Sequence, residues 1–510
     1  MIDVSKKLKK ILQLIENEEY FIINKPRQYG KTTTLFLLNK MLKDDSEYLP
    51  IKISFEGIGD VIFEKEEVFS KTFLEIVAKN LLLKDESLAL FLEEEKDKVD
   101  KLNDLSNAIT KLVIKSGKKV VLMIDEVDKS SNNQLFLSFL GMLRNKYLLQ
   151  NEGEDNTFHS IILAGVHDVK SLKLKIRSDE EHKYNSPWNI ASNFEVDMSF
   201  SAEEIGTMLD EYVEDKGVNL DKAYYSERLY FYTSGYPFLV SKLCKIIDEK
   251  IMQESQLKWE KEFIDIAVKE LLKESNTNFD ILIKTIENNN DLFKIVKSIL
   301  ILGNKIDYNI HNPNISLGIM YGIFKNNNGK LEINNRVYDQ LIYNYISSKI
   351  QTTVDFKSSN DYVNYVNEEG NLNVEKILIK FQDFMKHEYS EKREEFLEAD
   401  GRLLFLAFIS PIINGKGFAF KEVQGGEEKR FDIVITYNKK MYILELKKWN
   451  GKEYHKNGQL QLAVYLEQYG LSEGYLLIFD FRKLKGEAGK IERNTVSLGG
   501  KEKKLIEVYC

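Results

Sequence analysis

The segment from Tyr20 to Leu38 constrains the fold of this chain more than any other. It runs YFIINKPRQYGKTTTLFLL, an apolar strand-like run, a loop and a helix-compatible stretch. A loop ending in Gly-Lys-Thr before a helix suits phosphate binding, because loop amides and the helix N-terminus point at the anion. Lys31 would then reach the β- and γ-phosphates and Thr32 would bind Mg²⁺. Lys25 replaces the first glycine of the strict pattern, so Gly-Lys-Thr alone could also be an ordinary loop entering a helix.

A second segment, Val120 to Asp128, supplies acidic groups. Five apolar residues predict a buried strand, and Asp125 and Glu126 follow at its carboxyl end, where open α/β sheets bind ligands. Asp125 suits the Mg²⁺ shell, and Glu126 suits a base that polarises the attacking water. An acidic turn after a core strand is a common alternative. The two segments together nevertheless predict a nucleotide site.

Composition excludes several classes of protein. The chain has 510 residues, 43% of them apolar, which is enough for about two to four folded domains. Its net charge of −8 provides no global basic field, so any polyanion binding must be local. Two cysteines, Cys244 and Cys510, argue against a disulfide framework or a structural zinc site. Without a signal peptide or an apolar run of about 18 residues, we expect a cytoplasmic protein that does not enter a membrane.

The chain order predicts five regions. Alternating strands and helices over residues 1–200 indicate an α/β nucleotide-binding core. Residues 201–272 are helical and include a turn bracketed by Gly235 and Pro237, which predicts a lid. Residues 273–350 suggest a winged helix, because two helices precede a hairpin and another helix. It would bind DNA or pack against the core. A polar linker, 351–372, leads to the last region, 373–510.

Other polar residues could serve the nucleotide. His167 and Asp168 follow a predicted strand and could sense the γ-phosphate, although a polar strand terminus is the simpler interpretation. Arg144 could reach a phosphate from within or across subunits, although an exposed helical arginine is the simpler alternative. A trans-acting Arg144 or Arg177 would need a homo-oligomer. Lys242, on the helix after the lid turn, could face the nucleotide or belong to a plain helix–helix turn.

The last region contains a second group of candidate catalytic residues. Two alternating runs around Asn438 predict a β-hairpin, with Asp432 near the start of its first strand. Glu445 and Lys447 lie two apart on the second strand, so their side chains share a face. Carboxylates on adjacent strands with a neighbouring lysine suit metal-assisted phosphodiester cleavage. Asp432, Glu445 and the Leu446 carbonyl would bind Mg²⁺, and Lys447 would orient water or offset charge on the phosphate.

Two helical residues could complete this site. Glu398 could join the metal shell, and Gln461 could steady the lysine or the nucleic acid. The alternative is a surface Glu/Lys cross-strand pair, which is frequent in antiparallel sheets. Asp432 and Glu445 are flanked by apolar residues on strands that look buried, where unpaired charges are costly, which favours the metal site.

The first half resembles the AAA-like ATPases of bacteria and archaea. Its loop reads Pro-Arg-Gln-Tyr-Gly-Lys-Thr, and in those proteins the first loop glycine is also commonly absent. Their acidic strand resembles Val121 to Asp128, and their glycine-x-proline lid turn resembles Gly235 to Pro237. The resemblance implies ATP and Mg²⁺ as ligands. The residues expected to bind the nucleotide are Pro26, Arg27, Gln28, Tyr29, Gly30, Lys31, Thr32, Thr33 and Asp125.

The C-terminal part resembles the PD-(D/E)XK nuclease superfamily domain often fused to such ATPases. The matching residues are Glu398, Asn414, Gly415, Gly417, Lys421, Glu422, Arg430, Asp432, Glu445, Lys447, Gln461 and Tyr465. The resemblance implies a nuclease dependent on Mg²⁺, for which Mn²⁺ could substitute, with DNA a more natural substrate than RNA. A role in foreign-DNA or mobile-element control follows by analogy alone.

The predicted fold class is therefore α/β. It comprises a P-loop NTPase parallel sheet with a helical lid, a winged-helix-like domain and a C-terminal α/β PD-(D/E)XK nuclease-like domain. The main alternative function is a STAND-like regulatory ATPase whose nuclease-like domain only binds a partner or nucleic acid. A DNA-binding regulator that acts through the winged helix is a third hypothesis, which the acidic net charge disfavours.

Overall fold

A computed structural model of the chain forms two compact units. One comprises Met1–Thr285 and Tyr308–Val337, and the other comprises Ile286–Asp307 and Tyr338–Cys510. The structure describes all residues except 1, 128–133, 167–187, 189, 193, 253–257, 301–303, 354–364, 389–397, 414–416, 421–432, 439, 481–489 and 499. Within these described residues, no helix combines the length and apolar character needed to cross a bilayer.

The first unit is built on a four-stranded parallel sheet. Its strands are β1 (Phe21–Asn24), β2 (Tyr48–Ser54), β3 (Lys119–Asp125) and β4 (Ser160–Gly165), in the order β1-β4-β3-β2. All three pairings are parallel. These strands are nearly continuous apolar runs, as expected for a parallel sheet covered on both faces. The predicted parallel sheet is thus confirmed.

Successive residues of β3 pack into hydrophobic cores on opposite faces of the sheet. On β3, Leu122 and Ile124 pack into one cluster, whereas Val121 and Met123 pack into another on the opposite face. The helices that cover the sheet are α1 (Ser5–Glu16), α2 (Lys31–Lys43), α3 (Glu66–Leu81), α4 (Glu86–Lys96), α5 (Leu102–Ser116) and α6 (Gln134–Glu152). Within the described residues, both faces of the sheet are therefore packed against core clusters, which leaves its edges for ligands.

Four helices follow the sheet within the described residues of the range 201–273. They are α7 (Ala202–Lys216), α8 (Lys222–Thr233), α9 (Pro237–Ile246, continued by a π turn over Ile247–Ile251) and α10 (Phe263–Lys273). A capping box opens α7, because the Ser201 hydroxyl accepts from the Glu204 amide and the Glu204 carboxylate accepts from the Ser201 amide. Between α8 and α9, Gly235 has φ +72° and Pro237 occupies the first turn of α9. The predicted turn before a helix is present.

The next elements are α11 (Thr277–Glu287), α12 (Asn290–Leu300), β5 (Ile306–Asp307), α13 (Pro313–Met320), β6 (Phe324–Asn327), β7 (Lys330–Ile333) and α14 (Arg336–Thr353). Strands β6 and β7 form the expected hairpin, with Asn328 and Gly329 at positive φ in a two-residue turn. The two compact units divide the range 273–350 between them. Its assignment as one winged-helix-like domain stays a prediction.

The second unit contains a mixed six-stranded sheet. Its elements are α15 (Val374–Glu388), α16 (Glu398–Ile413), β8 (Gly417–Phe420), β9 (Ile433–Tyr437), β10 (Lys440–Lys448), α17 (Lys452–Gln468), β11 (Glu473–Phe479), β12 (Ile491–Leu498) and β13 (Lys501–Tyr509). The order is β12-β13-β11-β10-β9-β8. The predicted β9–β10 hairpin is antiparallel, whereas β11 pairs in parallel with both β10 and β13. Helices α15 and α16 contribute to the core on one face and α17 to that on the other.

Candidate functional site

The loop before α2 has the backbone geometry of an anion cradle. Gln28 and Gly30 have φ of +57° and +79°, whereas the φ of Tyr29 between them is not positive. Such alternation turns successive N–H groups toward one point, which makes a concave site for an anion. Gly30 is also the N-cap of α2, whose helix dipole adds positive potential at the same place.

Lys31 lies inside this loop. Its ammonium donates to the carbonyl oxygens of Lys25 at 2.8 Å and Pro26 at 2.9 Å, and the residue is 9% exposed. The loop thus wraps the lysine that the sequence predicts to contact phosphates. Thr32 and Thr33 are exposed on the first turn of α2, so their side chains are accessible to a ligand.

The acidic pair lies at the carboxyl edge of the same sheet. Asp125 is the last residue of β3, is 3% exposed, and accepts the amide of Glu126 at 3.0 Å. Glu126 has φ +56°, a backbone conformation that costs a non-glycine residue about 1–3 kcal/mol. Strain of this kind concentrates at functional sites. It fixes the direction in which the Glu126 side chain leaves the strand.

Sheet order brings the loop and the acidic pair to one edge. Ile22 of β1 pairs with Leu163 of β4, and Leu163 pairs in turn with Ile124 of β3. Asp125 therefore lies one residue beyond this row, two strands from β1, or about 9.5 Å at ordinary strand spacing. That separation suits a triphosphate with its cation between the two segments.

Of the other residues predicted to serve the nucleotide, the structure describes two, Lys242 and Arg144. Lys242 forms an ion pair with Glu274 at 2.7 Å, so its charge is engaged there. Arg144 lies on α6 and is partly buried. His167, Asp168 and Arg177 lie outside the described residues.

The sequence did not reveal which later residues contact the phosphate loop. The Tyr29 ring meets the Tyr236 ring edge-on at a centroid distance of 4.5 Å, and its hydroxyl lies 3.1 Å from that of Ser199. Burial is the main cause that raises the pKa of Tyr29. Tyr236 and Asn278 also hydrogen-bond to the loop. In the sequence, this region was signalled only by the predicted turn at Gly235–Pro237, which contains Tyr236.

The C-terminal candidate site contains a buried ion pair on β10. Glu445 is 1% exposed, and its carboxylate lies 2.8 Å from the Lys447 ammonium. Gly458 of α17 faces the lysine stem, since a Cβ there would lie 3.3 Å from Lys447 Cγ. Gln461, which we expected to steady the lysine or the nucleic acid, donates to the Tyr465 hydroxyl at 2.7 Å.

Several residues predicted for this site cannot be placed. Glu398 is the first residue of α16, but its side chain is outside the described residues. The predicted residues Asn414, Gly415, Lys421, Glu422, Arg430 and Asp432 also lie outside them. In the part of the chain that the structure describes, no three His, Cys, Asp or Glu side chains are grouped to hold a metal. The metal pair Asp432 and Glu445 therefore stays a prediction.

A second buried carboxylate lies on the same face and was missed. Glu507 of β13 is 0% exposed and shares a row with Glu445, because both pair with Leu476 of the intervening β11. From α17, His455 Nε2 lies 2.9 Å from Glu507 and Gln459 donates to it at 2.6 Å. These contacts attach α17 to the sheet. The alternating charges of KEKKLIEVY gave no sign that this glutamate is buried.

Comparisons with known proteins concern mainly the first two thirds of the chain. The model of one protein family, an AAA-like domain, matches residues 3–344. A Walker-type ATPase of Pyrococcus abyssi is similar in structure, with 13% identity, a TM-score of 0.45, and coverage of 67% of this chain and 96% of that chain. No curated protein matches the sequence.

Two further solved structures are similar over the same extent. For the ORC2 protein of Aeropyrum pernix the identity is 12%, the TM-score 0.36, and the coverage 68% of this chain and 93% of that one. For the Holliday junction branch migration motor RuvB of Thermotoga maritima the identity is 13%, the TM-score 0.35, and the coverage 67% and 95%.

Proposed function

This chain belongs to the AAA-like domain family, and we propose that it binds and hydrolyses ATP at the loop from Lys25 to Lys31. One observation supports this site above all. The cradle formed around Gln28 and Gly30 encloses the Lys31 ammonium at the sheet edge that also carries Asp125 and Glu126. Loop amides, a helix N-terminus and a lysine together supply the positive potential that a triphosphate needs.

Each residue has a proposed role in hydrolysis. The loop amides and Lys31 bind the β- and γ-phosphates, with the phosphate oxygens replacing the carbonyl acceptors of the lysine. Thr32 and Asp125 would hold Mg²⁺, which offsets the phosphate charge. The exposed Thr32 hydroxyl and the Asp125 carboxylate, both oxygen donors, fit that ion. Glu126 accepts a proton from the attacking water.

The test compares ATP binding and turnover in the wild type, Lys31→Ala and Lys40→Ala. Lys40 is an exposed lysine on the same helix, so its replacement controls for the loss of one positive charge. We expect Lys31→Ala to lose ATP binding and turnover and Lys40→Ala to retain both. Unchanged hydrolysis in Lys31→Ala would refute the site.

For the C-terminal unit we propose cleavage of phosphodiester bonds in nucleic acid, with DNA the expected substrate. The Glu445–Lys447 pair supports this, because it places a buried carboxylate, an oxygen donor that suits Mg²⁺, 2.8 Å from a lysine that can offset phosphate charge. Glu445 and the Leu446 carbonyl, with Asp432, would hold Mg²⁺ or Mn²⁺, which would activate a water for attack. Lys447 would offset charge on the phosphate.

Labelled single- and double-stranded DNA and RNA should be incubated with Mg²⁺ or Mn²⁺, with and without ATP. We expect cleavage by the wild type that is lost in Glu445→Ala and Lys447→Ala. The control is Glu453→Ala, an exposed glutamate on α17. Absence of cleavage in all conditions, with ATP hydrolysis intact, would instead favour the STAND-like regulatory ATPase. A cytoplasmic location, homo-oligomers and foreign-DNA or mobile-element control stay predictions.

A further inference from the structure

Two buried side chains from outside the phosphate loop hydrogen-bond to it, Tyr236 to its backbone and Asn278 to the Gln28 side chain. The Tyr236 hydroxyl donates to the carbonyl oxygen of Arg27 at 2.6 Å. Asn278 Nδ2 lies 3.2 Å from the same hydroxyl and 3.1 Å from Gln28 Oε1. Tyr236 is 1% exposed and Asn278 9% exposed, so water competes little for these hydrogen bonds. The amide, hydroxyl and carbonyl form one chain of hydrogen bonds in which each bond strengthens the next.

This chain of hydrogen bonds determines where one loop amide points. In a planar trans peptide the C=O and the following N–H point in opposite directions. Because the Arg27 carbonyl faces the Tyr236 hydroxyl, the Gln28 N–H faces away from it. Gln28 is also the first left-handed residue of the cradle. Its backbone conformation is one that a non-glycine residue keeps only when surrounding contacts hold it.

We propose that Tyr236 is a positioning residue of the nucleotide site, with Asn278 holding its hydroxyl, and that both orient the Gln28 amide toward the phosphates. The proposal rests on the proposed ATP site. It gives a function to two residues that lie 209 and 250 positions from the loop residues they contact. An amide that is oriented in advance loses less freedom when the anion binds, so affinity rises without any added contact.

The tyrosine has two separable contributions. Its ring packs edge-on against Tyr29, and its hydroxyl alone reaches Arg27. Tyr236→Phe therefore keeps the ring packing and removes the hydroxyl, and with it the hydrogen bonds to Arg27 and from Asn278. The loop keeps another support, because Gly322 lies so close to Pro26 that a Cβ there would be 3.1 Å from the proline ring. The variant should therefore fold with the loop in place, and the Arg27–Gln28 peptide should become free to rotate.

Tyr225→Phe is a matched control. The Tyr225 hydroxyl also donates to a backbone carbonyl, that of Trp259 at 2.9 Å, and the residue is 2% exposed. Both variants lose a hydrogen bond from a buried tyrosine hydroxyl to a backbone carbonyl, but only the bond from Tyr236 ends on the phosphate loop. Wild type, Lys31→Ala and both variants should be compared by fluorescence titration with a labelled ATP analogue and by steady-state hydrolysis.

We expect Tyr236→Phe to weaken ATP binding about three- to tenfold, the effect of losing the hydrogen bond to the Arg27 carbonyl, and to raise KM by a similar factor with kcat within about twofold. Tyr225→Phe should bind ATP within about twofold of the wild type. Asn278→Ala should weaken binding in the wild type more than in Tyr236→Phe, because both residues act through one hydroxyl.

The outcomes separate this proposal from the ATP site itself. If the wild type binds ATP, Lys31→Ala does not, and Tyr236→Phe binds as tightly as Tyr225→Phe, the positioning role is refuted and the ATP site stands. If the affinity losses of the two tyrosine variants match each other and follow their loss of melting temperature, the role of Tyr236 is structural only. If the wild type fails to bind ATP, the site and the positioning role both fall.

Discussion

The ammonium of Lys146, which is 1% exposed, lies 2.7 Å from the carboxylate of Asp155 and 2.6 Å from the Thr110 hydroxyl. Asp155→Ala would leave this buried ammonium without its counter-ion. We expect a loss of about 3–5 kcal/mol in the free energy of unfolding, measured by urea denaturation. As a control, Glu47→Ala breaks an exposed pair with Lys119 and should cost no more than about 1 kcal/mol. Equal effects of the two variants would contradict the prediction.

Glu126 combines a proposed chemical role with backbone strain, and two variants separate them. Glu126→Gln should retain ATP binding but lower kcat about 10²- to 10⁴-fold, because an amide cannot accept the proton of water. Glu126→Gly should also lose turnover but should gain thermal stability, since glycine adopts φ +56° without strain. Hydrolysis assays and calorimetry measure the two effects. Normal turnover in Glu126→Gln would exclude this residue as the base.

Gly235 is required by a close backbone approach in the lid. A Cβ at this residue would lie 1.9 Å from the carbonyl oxygen of Phe200. Gly235→Ala should therefore cost at least about 4 kcal/mol in the free energy of unfolding, or prevent folding. Gly217→Ala is the control, because Gly217 also has positive φ, +64°, but nothing lies within 4 Å of its Cβ position. That variant should lose about 1 kcal/mol. Similar losses in both would refute the steric explanation.

The carboxylate of Glu467 should make stability depend on pH. It lies 2.7 Å from both Lys501 and Lys503, and these hydrogen bonds lower its pKa from 4.5 to about 2. The unfolded chain therefore takes up this proton first as the pH falls. The stabilisation is complete above about pH 5.5 and declines from about pH 4.5 toward pH 2.

Glu467→Gln should therefore be less stable than the wild type at pH 7, and the difference should shrink as the pH falls below about 4.5. Urea denaturation at a series of pH values measures it. Glu453→Gln, a change at an exposed residue of the same helix, should show no such trend. A difference that stays constant from pH 7 to pH 3 would show that the two lysines do not act through the charge of Glu467.

Short-range patterns in the sequence predicted individual strands and the hairpin between β9 and β10. The apolar runs of β1 and β3 predicted the sheet edge of the candidate nucleotide site. The alternation of apolar and polar residues in β9 and β10 predicted the hairpin that carries Glu445 and Lys447. The left-handed conformations of Gln28 and Glu126 were not predictable, because they depend on contacts made after the chain folds. The Tyr236 and Asn278 hydrogen bonds were not predictable either, since neither a tyrosine in a turn nor an asparagine on a helix signals a partner more than 200 residues away.

The strand order of the first sheet has a consequence for synthesis. Strand β4 is the last of the four to leave the ribosome, yet it lies between β1 and β3 and sets their spacing. Until Ser160–Gly165 is available, the loop at Lys31 and the acid at Asp125 have no common edge. A nascent chain that ends before this strand cannot be stabilised by nucleotide and exposes two unpaired strand edges, where chaperones or aggregation act. At the proposed site, ATP binding is therefore expected only after β4 has inserted.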